Sequence, residues 1–297
     1  MNSYAQMASR NDVIRPSDVR RTLKSLGVRP RKSLGQNFLV DRNVVERILE
    51  IAEVSERDVV LEIGPGLGAL TDGLVERASR VIAVEVDERL SNHLEERFRG
   101  ASGMRLIQAD VLDLDLDTLL QHEGTPVNKV IANLPYASGS RILVGIFRAQ
   151  RVPDTMTVTV QREVADRLVS QSGGKDYGLL GVWAQRLYDV TLKRTIGAKC
   201  FWPEPDITSS VVVFRKHNRL PLNDVLEKLF YRLTKTAFSH RRKQLASILS
   251  REKGKLHLSR THTKEMLAKL NKPETARPED LDPGDWCRLT TFLAERE

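Results

Sequence analysis

Cysteine is scarce in this chain. Cys200 and Cys287 are the only two in 297 residues, and neither belongs to a metal-ligand spacing. No disulfide framework is implied, a reducing compartment fits, and a cytoplasmic location is expected. The histidines, His93, His122, His217, His240, His257 and His262, form no ligand spacing, so no metal is expected. No apolar run approaches the roughly 20 residues of a membrane span, so no membrane partner is expected. The start, Met1-Asn2-Ser3-Tyr4-Ala5-Gln6, has no apolar signal-peptide core, and Asp12 and Asp18 interrupt the arginines of an organelle-targeting segment. Internal repeats and low-complexity tracts are absent.

What is present is a globular chain with a strong positive balance. Apolar residues make up 40% of it, and its length suits two domains. The net charge of +8 suits a polyanionic partner, nucleic acid before membrane, although a solvated basic surface explains the charge alone equally well. Residues 1–30 read as poorly structured apart from a candidate helix over 17–26, with Ser17 as its cap and Gly27 as its stop, while apolar periodicity predicts a clearer helix over 41–52, capped by Asp41. Strands are then expected near 58–63, 80–86, 104–109, 128–133 and 155–161, with helices near 69–78, 87–98, 115–121, 138–149 and 163–170. That alternation predicts an α/β fold with a doubly wound, mainly parallel sheet. The segments 183–195 and 209–215 read as an antiparallel β edge, and 222–237, 240–250, 262–270 and 283–296 as helices of a second, small domain.

Two turns carry the chemistry. Gly64-Pro65-Gly66-Leu67-Gly68 follows the apolar strand Val59-Val60-Leu61 and precedes a helix, the context of a nucleotide-binding loop. Glu85 ends the next strand, where a carboxylate can accept from ribose hydroxyls, and Asp110 ends the third, where it can reach an adenine amine or cap a turn. The third glycine comes two positions after the second, not three. That tighter turn suits one adenosine with an amino-acid tail better than the pyrophosphate of a nicotinamide dinucleotide, which stays as an alternative.

The second turn, Asn133-Leu134-Pro135-Tyr136, sits where the fourth strand ends. An exocyclic base amine is a poor nucleophile because its lone pair is delocalised into the ring. Two acceptors aimed at its hydrogens pull it toward a tetrahedral form. The Asn133 side-chain oxygen and the Leu134 carbonyl are those acceptors, Pro135 stiffens the turn, and Tyr136 gives a flat face for a flipped base. A β-turn of favourable composition would explain Asn and Pro but not the aromatic. Arg241, Arg242 and Lys243 are expected at a helix start, where they oppose the helix dipole and suit an RNA contact. With Arg29, Arg31, Lys32, Lys193 and Arg194 they could form a phosphate track.

From about Arg29 to Glu297 the chain resembles the S-adenosylmethionine-dependent RNA adenine dimethyltransferases, above all those acting on small-subunit ribosomal RNA. Lys32-Ser33-Leu34-Gly35-Gln36-Asn37-Phe38-Leu39 resembles the family's cofactor-lid motif, which implies cofactor contacts from Gln36, Asn37 and Leu39. The glycine loop, Glu85 and Asp110 resemble its cofactor motifs, and Asn133 to Tyr136 its catalytic tetrapeptide. Phe201-Trp202-Pro203-Glu204-Pro205 resembles the F-x-P-x-P loop whose aromatic faces the target adenine, and Ala237 to Gln244 the basic C-terminal segment. Two departures stand out: Ala137 where the family commonly has Asn, and Asp206 where it has Lys.

The resemblance implies a Rossmann-like methyltransferase domain over 29–217, a helical RNA-binding domain over 218–297 and a flexible segment over 1–28. It implies cofactor contacts from Gly64, Gly66, Glu85, Asp110 and Asn133, catalysis by Asn133 to Tyr136, and substrate contacts from Tyr136, Phe201, Arg241, Arg242 and Lys243. The substrate would be small-subunit ribosomal RNA or its assembly intermediate, and a monomer is expected. The alternatives are the antibiotic-resistance branch acting on large-subunit RNA, against which Leu134 argues, and an RNA-binding assembly factor whose methylation is secondary.

Overall fold

The computed structural model describes residues 15–31, 34–121 and 125–295. The N-terminal stretch before Arg15, Lys32, Ser33 and His122 lie outside the described residues. The chain opens with α1 (Pro16–Ser25), β1 (Phe38–Leu39) and α2 (Arg42–Ala52). Strands and helices then alternate: β2 (Val59–Ile63), α3 (Thr71–Arg77), β3 (Arg80–Glu85), α4 (Glu88–Arg97), β4 (Met104–Gln108) and α5 (Leu116–Leu120). The alternation continues with β5 (Lys129–Asn133), α6 (Gly139–Phe147), β6 (Thr155–Gln161) and α7 (Arg162–Val169). After these come α8 (Leu179–Leu187), β7 (Tyr188–Ile196), β8 (Phe201–Trp202) and β9 (Ser209–Lys216). The chain finishes with α9 (Asp224–Phe238), α10 (Leu245–Leu249), α11 (Arg260–Lys269) and α12 (Pro283–Ala294).

Seven strands form one sheet in the order β4-β3-β2-β5-β6-β9-β7. The five from β4 to β6 are parallel, and β9 joins β6 antiparallel, as the segment 209–215 led one to expect. Every residue of β2 is buried, as a parallel strand covered on both faces requires. From β2 the chain winds outward through β3 and β4, then returns to β5 on the other side. The order therefore reverses between β2 and β5. A ligand crevice belongs outside the carboxyl ends of those two strands.

The chain divides into two compact units. One runs through Ala165 and resumes over Thr191–Arg215; the other comprises Asp166–Val190 and the chain from Lys216. Residues 166–190, expected in the sheet domain, thus group with the C-terminal helices. The Trp183 indole N–H donates to Thr234 at 2.9 Å, and the buried Arg186 pairs with Glu227 at 2.7 Å and lies 5.0 Å from the centre of the Phe230 ring.

Three local expectations are corrected. Residues 183–187 are helical, because Leu180 to Ala184 are buried all round and such a run has no strand alternation to show. Residues 240–244 form a turn, and α10 begins only at Leu245. The segment 15–28 is not loose: Val19 and Leu23 on α1 are buried against Phe38, Val40, Leu67 and Leu90. No described helix is long and apolar enough to cross a membrane.

Candidate active site

The glycine loop leaves β2 with Gly64, whose N–H donates to the Val84 carbonyl of β3 at 2.9 Å. Two features of Gly66 favour glycine. Its φ is +62°, and a Cβ there would stand 3.1 Å from the Phe38 ring. Its N–H donates to Glu85 Oε2 at 3.0 Å, while the Asp87 N–H donates to Oε1 at 3.0 Å. Glu85 is therefore aimed by the backbone on both oxygens, and burial raises its pKa. Each oxygen keeps a lone pair for a further donor. Asp87 in turn binds Arg31 at 2.6 Å, which ties the segment before β1 to the end of β3.

The tetrapeptide meets this loop. A Cβ on Gly64 would lie 3.9 Å from the Pro135 ring, and one cavity is lined by Gly64, Gly66, Glu85 and Asn133 through Tyr136. The Asn133 amide nitrogen donates to the Asn37 carbonyl at 2.9 Å. A carbonyl only accepts, so this bond fixes which way the amide faces. It leaves Asn133 Oδ1 buried in the site without a hydrogen-bond partner among the described residues. The Leu134 N–H is used by the Thr159 carbonyl at 3.0 Å, and no donor is bonded to the Leu134 carbonyl among the described residues. A buried acceptor without a donor costs stability on the order of 1–3 kcal/mol, a cost that a ligand bringing hydrogen-bond donors would offset.

Tyr136 is held by two neighbours remote in sequence. Its hydroxyl is hydrogen-bonded to Ser209 at the start of β9, and its ring meets Phe201 edge-on with centroids 6.4 Å apart. Burial raises the hydroxyl's pKa, so it stays neutral and Tyr136 offers a face rather than a base. The segment before β1 presses on the same turn. Gly35 has φ +64°, and a Cβ there would come within 2.6 Å of the Tyr136 nitrogen.

Of the residues singled out from the sequence, Gln36, Asn37, Leu39, Gly64, Gly66, Glu85 and Asn133 to Tyr136 come together around the cavity. Asp110 does not: it is exposed, lies outside the lining, and accepts from the Leu112 N–H at 2.9 Å, a turn cap. Phe201 is 2% exposed within the core and stands behind Tyr136, not in the cavity. Val19, Phe38 and Glu62 line the cavity without having been singled out as site residues. Glu62 had the same signal as Glu85, a carboxylate near a strand end. Burial pushes its pKa up to about 8, so it carries a proton at neutral pH.

The basic segment Arg241-Arg242-Lys243 follows α9 instead of starting a helix, so the dipole at a helix C-terminus favours it. Arg241 is already engaged, by the Glu279 carboxylate and by the Lys175 carbonyl at 2.8 Å. Arg242 and Lys243 are exposed. Among the described residues no cluster of His, Cys, Asp and Glu is placed to hold a metal.

Comparison with known proteins bears directly on this arrangement. Residues 27–294 match the family described as ribosomal RNA adenine dimethylase. A Geobacter metallireducens protein named ribosomal RNA small subunit methyltransferase A is 38% identical over 273 residues, 91% of this chain and 98% of that one. Its namesake from Lachnoclostridium phytofermentans is 36% identical over 269 residues, 90% of this chain and 92% of that one. Among solved structures, a dimethyladenosine transferase from Plasmodium falciparum shares the fold with a TM-score of 0.74 at 20% identity, over 87% of this chain and 98% of that one. The 23S rRNA methyltransferase ErmE aligns with a TM-score of 0.64 at 26% identity, over 87% of this chain and all of that one. With its glycine loop and its Asn-Leu-Pro-Tyr turn facing one cavity, the chain belongs to the ribosomal RNA adenine dimethylase family.

Proposed function

We propose that this chain uses S-adenosylmethionine to dimethylate the exocyclic amines of two adjacent adenosines in small-subunit ribosomal RNA during ribosome assembly. The observation that carries this reading is the Asn133 amide. Its nitrogen is tied to Asn37, and its oxygen stands free beside the unbonded Leu134 carbonyl. Two acceptors at one turn match the two hydrogens of an adenine amine. The names of the small-subunit relatives support the RNA class.

The residues fit the cofactor. Glu85 retains lone pairs for ribose hydroxyls beside the Gly66 turn, and Gln36, Asn37 and Leu39 close the other side. When bound, the cofactor supplies an already activated methyl group, so the protein has mainly to position and desolvate. Tyr136 holds the flipped base by stacking. Asn133 and Leu134 draw on its amine as the nitrogen becomes tetrahedral. No strong base is required, because the amine proton is acidic once transfer has made the nitrogen positive. The protein acts in the cytosol as a monomer in this reading. Incubation with labelled cofactor and immature small subunits, followed by mapping of the modified bases, tests it; label on no adenosine refutes it.

Two expected results follow from the surroundings of the site. Ser209→Ala frees the Tyr136 hydroxyl and should lower kcat/KM for RNA by about 2–10-fold, the value of one hydrogen bond. The loss should appear in KM, with the rate at saturating RNA and the cofactor affinity retained. Arg242→Ala with Lys243→Ala should reduce the log–log salt slope of RNA binding by about 1–2 units and leave cofactor binding unchanged. An unaltered slope assigns both to the solvated surface.

A further inference from the structure

Glu62, on the central strand β2, lines the cavity and serves neither the glycine loop nor the tetrapeptide. It is 1% exposed, and its register partners in the sheet are Ala83 on β3 and Ile131 on β5, neither of which has a side-chain donor. The charged groups that face it are Asp72 on α3 and Glu85 at the end of β3, both acids, and Asp72 is itself bound to Arg97 at 2.5 Å. Thr71, the buried first residue of α3, is its polar neighbour, yet neither Thr71 Oγ1 nor Glu62 Oε2 has a hydrogen-bond partner among the described residues.

Such a group weakens the fold. A carboxyl buried with two acids and no cation facing it keeps its proton, and an unpaired polar group in the interior costs stability. Because Glu62 lines the cavity, a ligand there can supply the missing partner. Its place in the sheet points to which part of the ligand. In the order β3-β2-β5, Ala83 lies two residues before Glu85 and Ile131 two residues before Asn133. Glu85, Glu62 and Asn133 therefore stand on one face of the sheet, with Glu62 one pleat deeper and between the other two. Glu85 serves the ribose and Asn133 the reacting amine in the function proposed above. The part of the cofactor that joins those two ends carries an amino acid, whose α-ammonium is a cation with three N–H donors.

We propose that Glu62 is the counter-charge for that ammonium group, and that it gives up a proton when the amino-acid tail binds. The carboxyl O–H bond breaks, the electron pair stays on the carboxylate oxygen, and the proton leaves to the buffer. Burial holds the pKa of Glu62 at about 8 in the free protein, so the release is nearly complete at neutral pH. A neutral Glu62 that donated to the tail's carboxylate would instead keep its proton. Glu62 thereby selects adenosyl ligands that carry an amine over bare nucleosides, and acid weakens their binding. The inference rests on the cofactor reading above and adds which residue neutralises the amino-acid end.

Calorimetry of the parent at neutral pH, in phosphate and in Tris buffer, counts the protons, because the two buffers differ in ionisation enthalpy. S-adenosylmethionine and S-adenosylhomocysteine share the tail. Each should release about one proton more than 5′-methylthioadenosine, which has the same adenosine and no amino acid. That third compound subtracts any proton that Glu85 gives up beside the ribose, since burial raises its pKa too. From about pH 6 to about pH 7, affinity for S-adenosylhomocysteine should rise about tenfold relative to that for 5′-methylthioadenosine. Glu62→Gln keeps the shape of the protonated acid. It should release no extra proton, lose that pH dependence and bind 5′-methylthioadenosine like the parent. Equal proton counts for S-adenosylhomocysteine and 5′-methylthioadenosine in the parent overturn the proposal, whether or not the variant folds. So does extra release that persists in Glu62→Gln. Extra release with S-adenosylmethionine alone also overturns it, because the sulfonium charge then drives the proton out. If the parent binds the cofactor and methylates RNA, such failures touch Glu62 alone; a parent that binds none of the three compounds overturns the cofactor reading as well.

Discussion

Asn133→Ala should slow single-turnover methylation by about 10²–10³ while RNA still binds. The reason lies in the two ends of one amide. The nitrogen end is satisfied by Asn37 at 2.9 Å, and the oxygen end is buried with no partner. That acceptor meets an amine hydrogen most strongly once the nitrogen has become tetrahedral and positive. An interaction stronger in the transition state than in the ground state appears in the rate and hardly in the binding constant. Removing one preorganised hydrogen bond at a reacting centre costs about 10²–10³ elsewhere, and the same scale is expected here. Tyr136→Ala should behave differently and weaken capture of the base by roughly 1–3 kcal/mol of stacking. Measurement at saturating enzyme separates the two. A near-normal rate for Asn133→Ala would reduce the tetrapeptide to a turn.

Glu85→Ala should weaken S-adenosylmethionine by about 1.5–3 kcal/mol, roughly 10- to 150-fold in affinity, without unfolding the chain. The carboxylate is 4% exposed, and each oxygen already accepts one backbone N–H. These two bonds hold it in place, and it lines the same cavity as Gly64 and Gly66. Alanine removes the proposed ribose acceptor and also frees the Gly66 N–H. Calorimetry with the cofactor measures the loss, and circular dichroism confirms that the fold persists. Unchanged affinity would assign Glu85 to loop architecture alone.

Much of the fold is written in short stretches of the chain. Val59 to Ile63 is apolar enough for a strand buried on both faces, and Asp41 and Asp87 cap the helices that follow them with bonds to their own neighbours. The helix over 183–187 was not legible, because a fully buried helix and a buried strand look alike in an apolar run. The packing of α1 rests on Val19 and Leu23, one turn apart, a stripe too short to stand out from polar surroundings. Among the candidate site residues, Glu85 and Asn133 line one cavity, and both were legible as strand ends on which the next element turns. Asp110 and Phe201 carried equally good local patterns, yet one is exposed and the other is sealed in the core.

Sequence alone therefore settled what depends on neighbouring residues: the βα alternation, the left-handed glycine turn, and the carboxylate and amide at strand ends. These follow from backbone dihedrals, periodicity and turn chemistry, which act over a few residues. Folding in three dimensions settled which groups meet. Asn37 reaches Asn133 across 96 residues and Ser209 reaches Tyr136 across 73, while Arg241 is spent on Glu279 38 residues away. No local pattern encodes such pairings. They appear only when the strand order reverses between β2 and β5 and packed helices bring distant chain segments within hydrogen-bond reach, and they decide which acceptors stay free for a substrate.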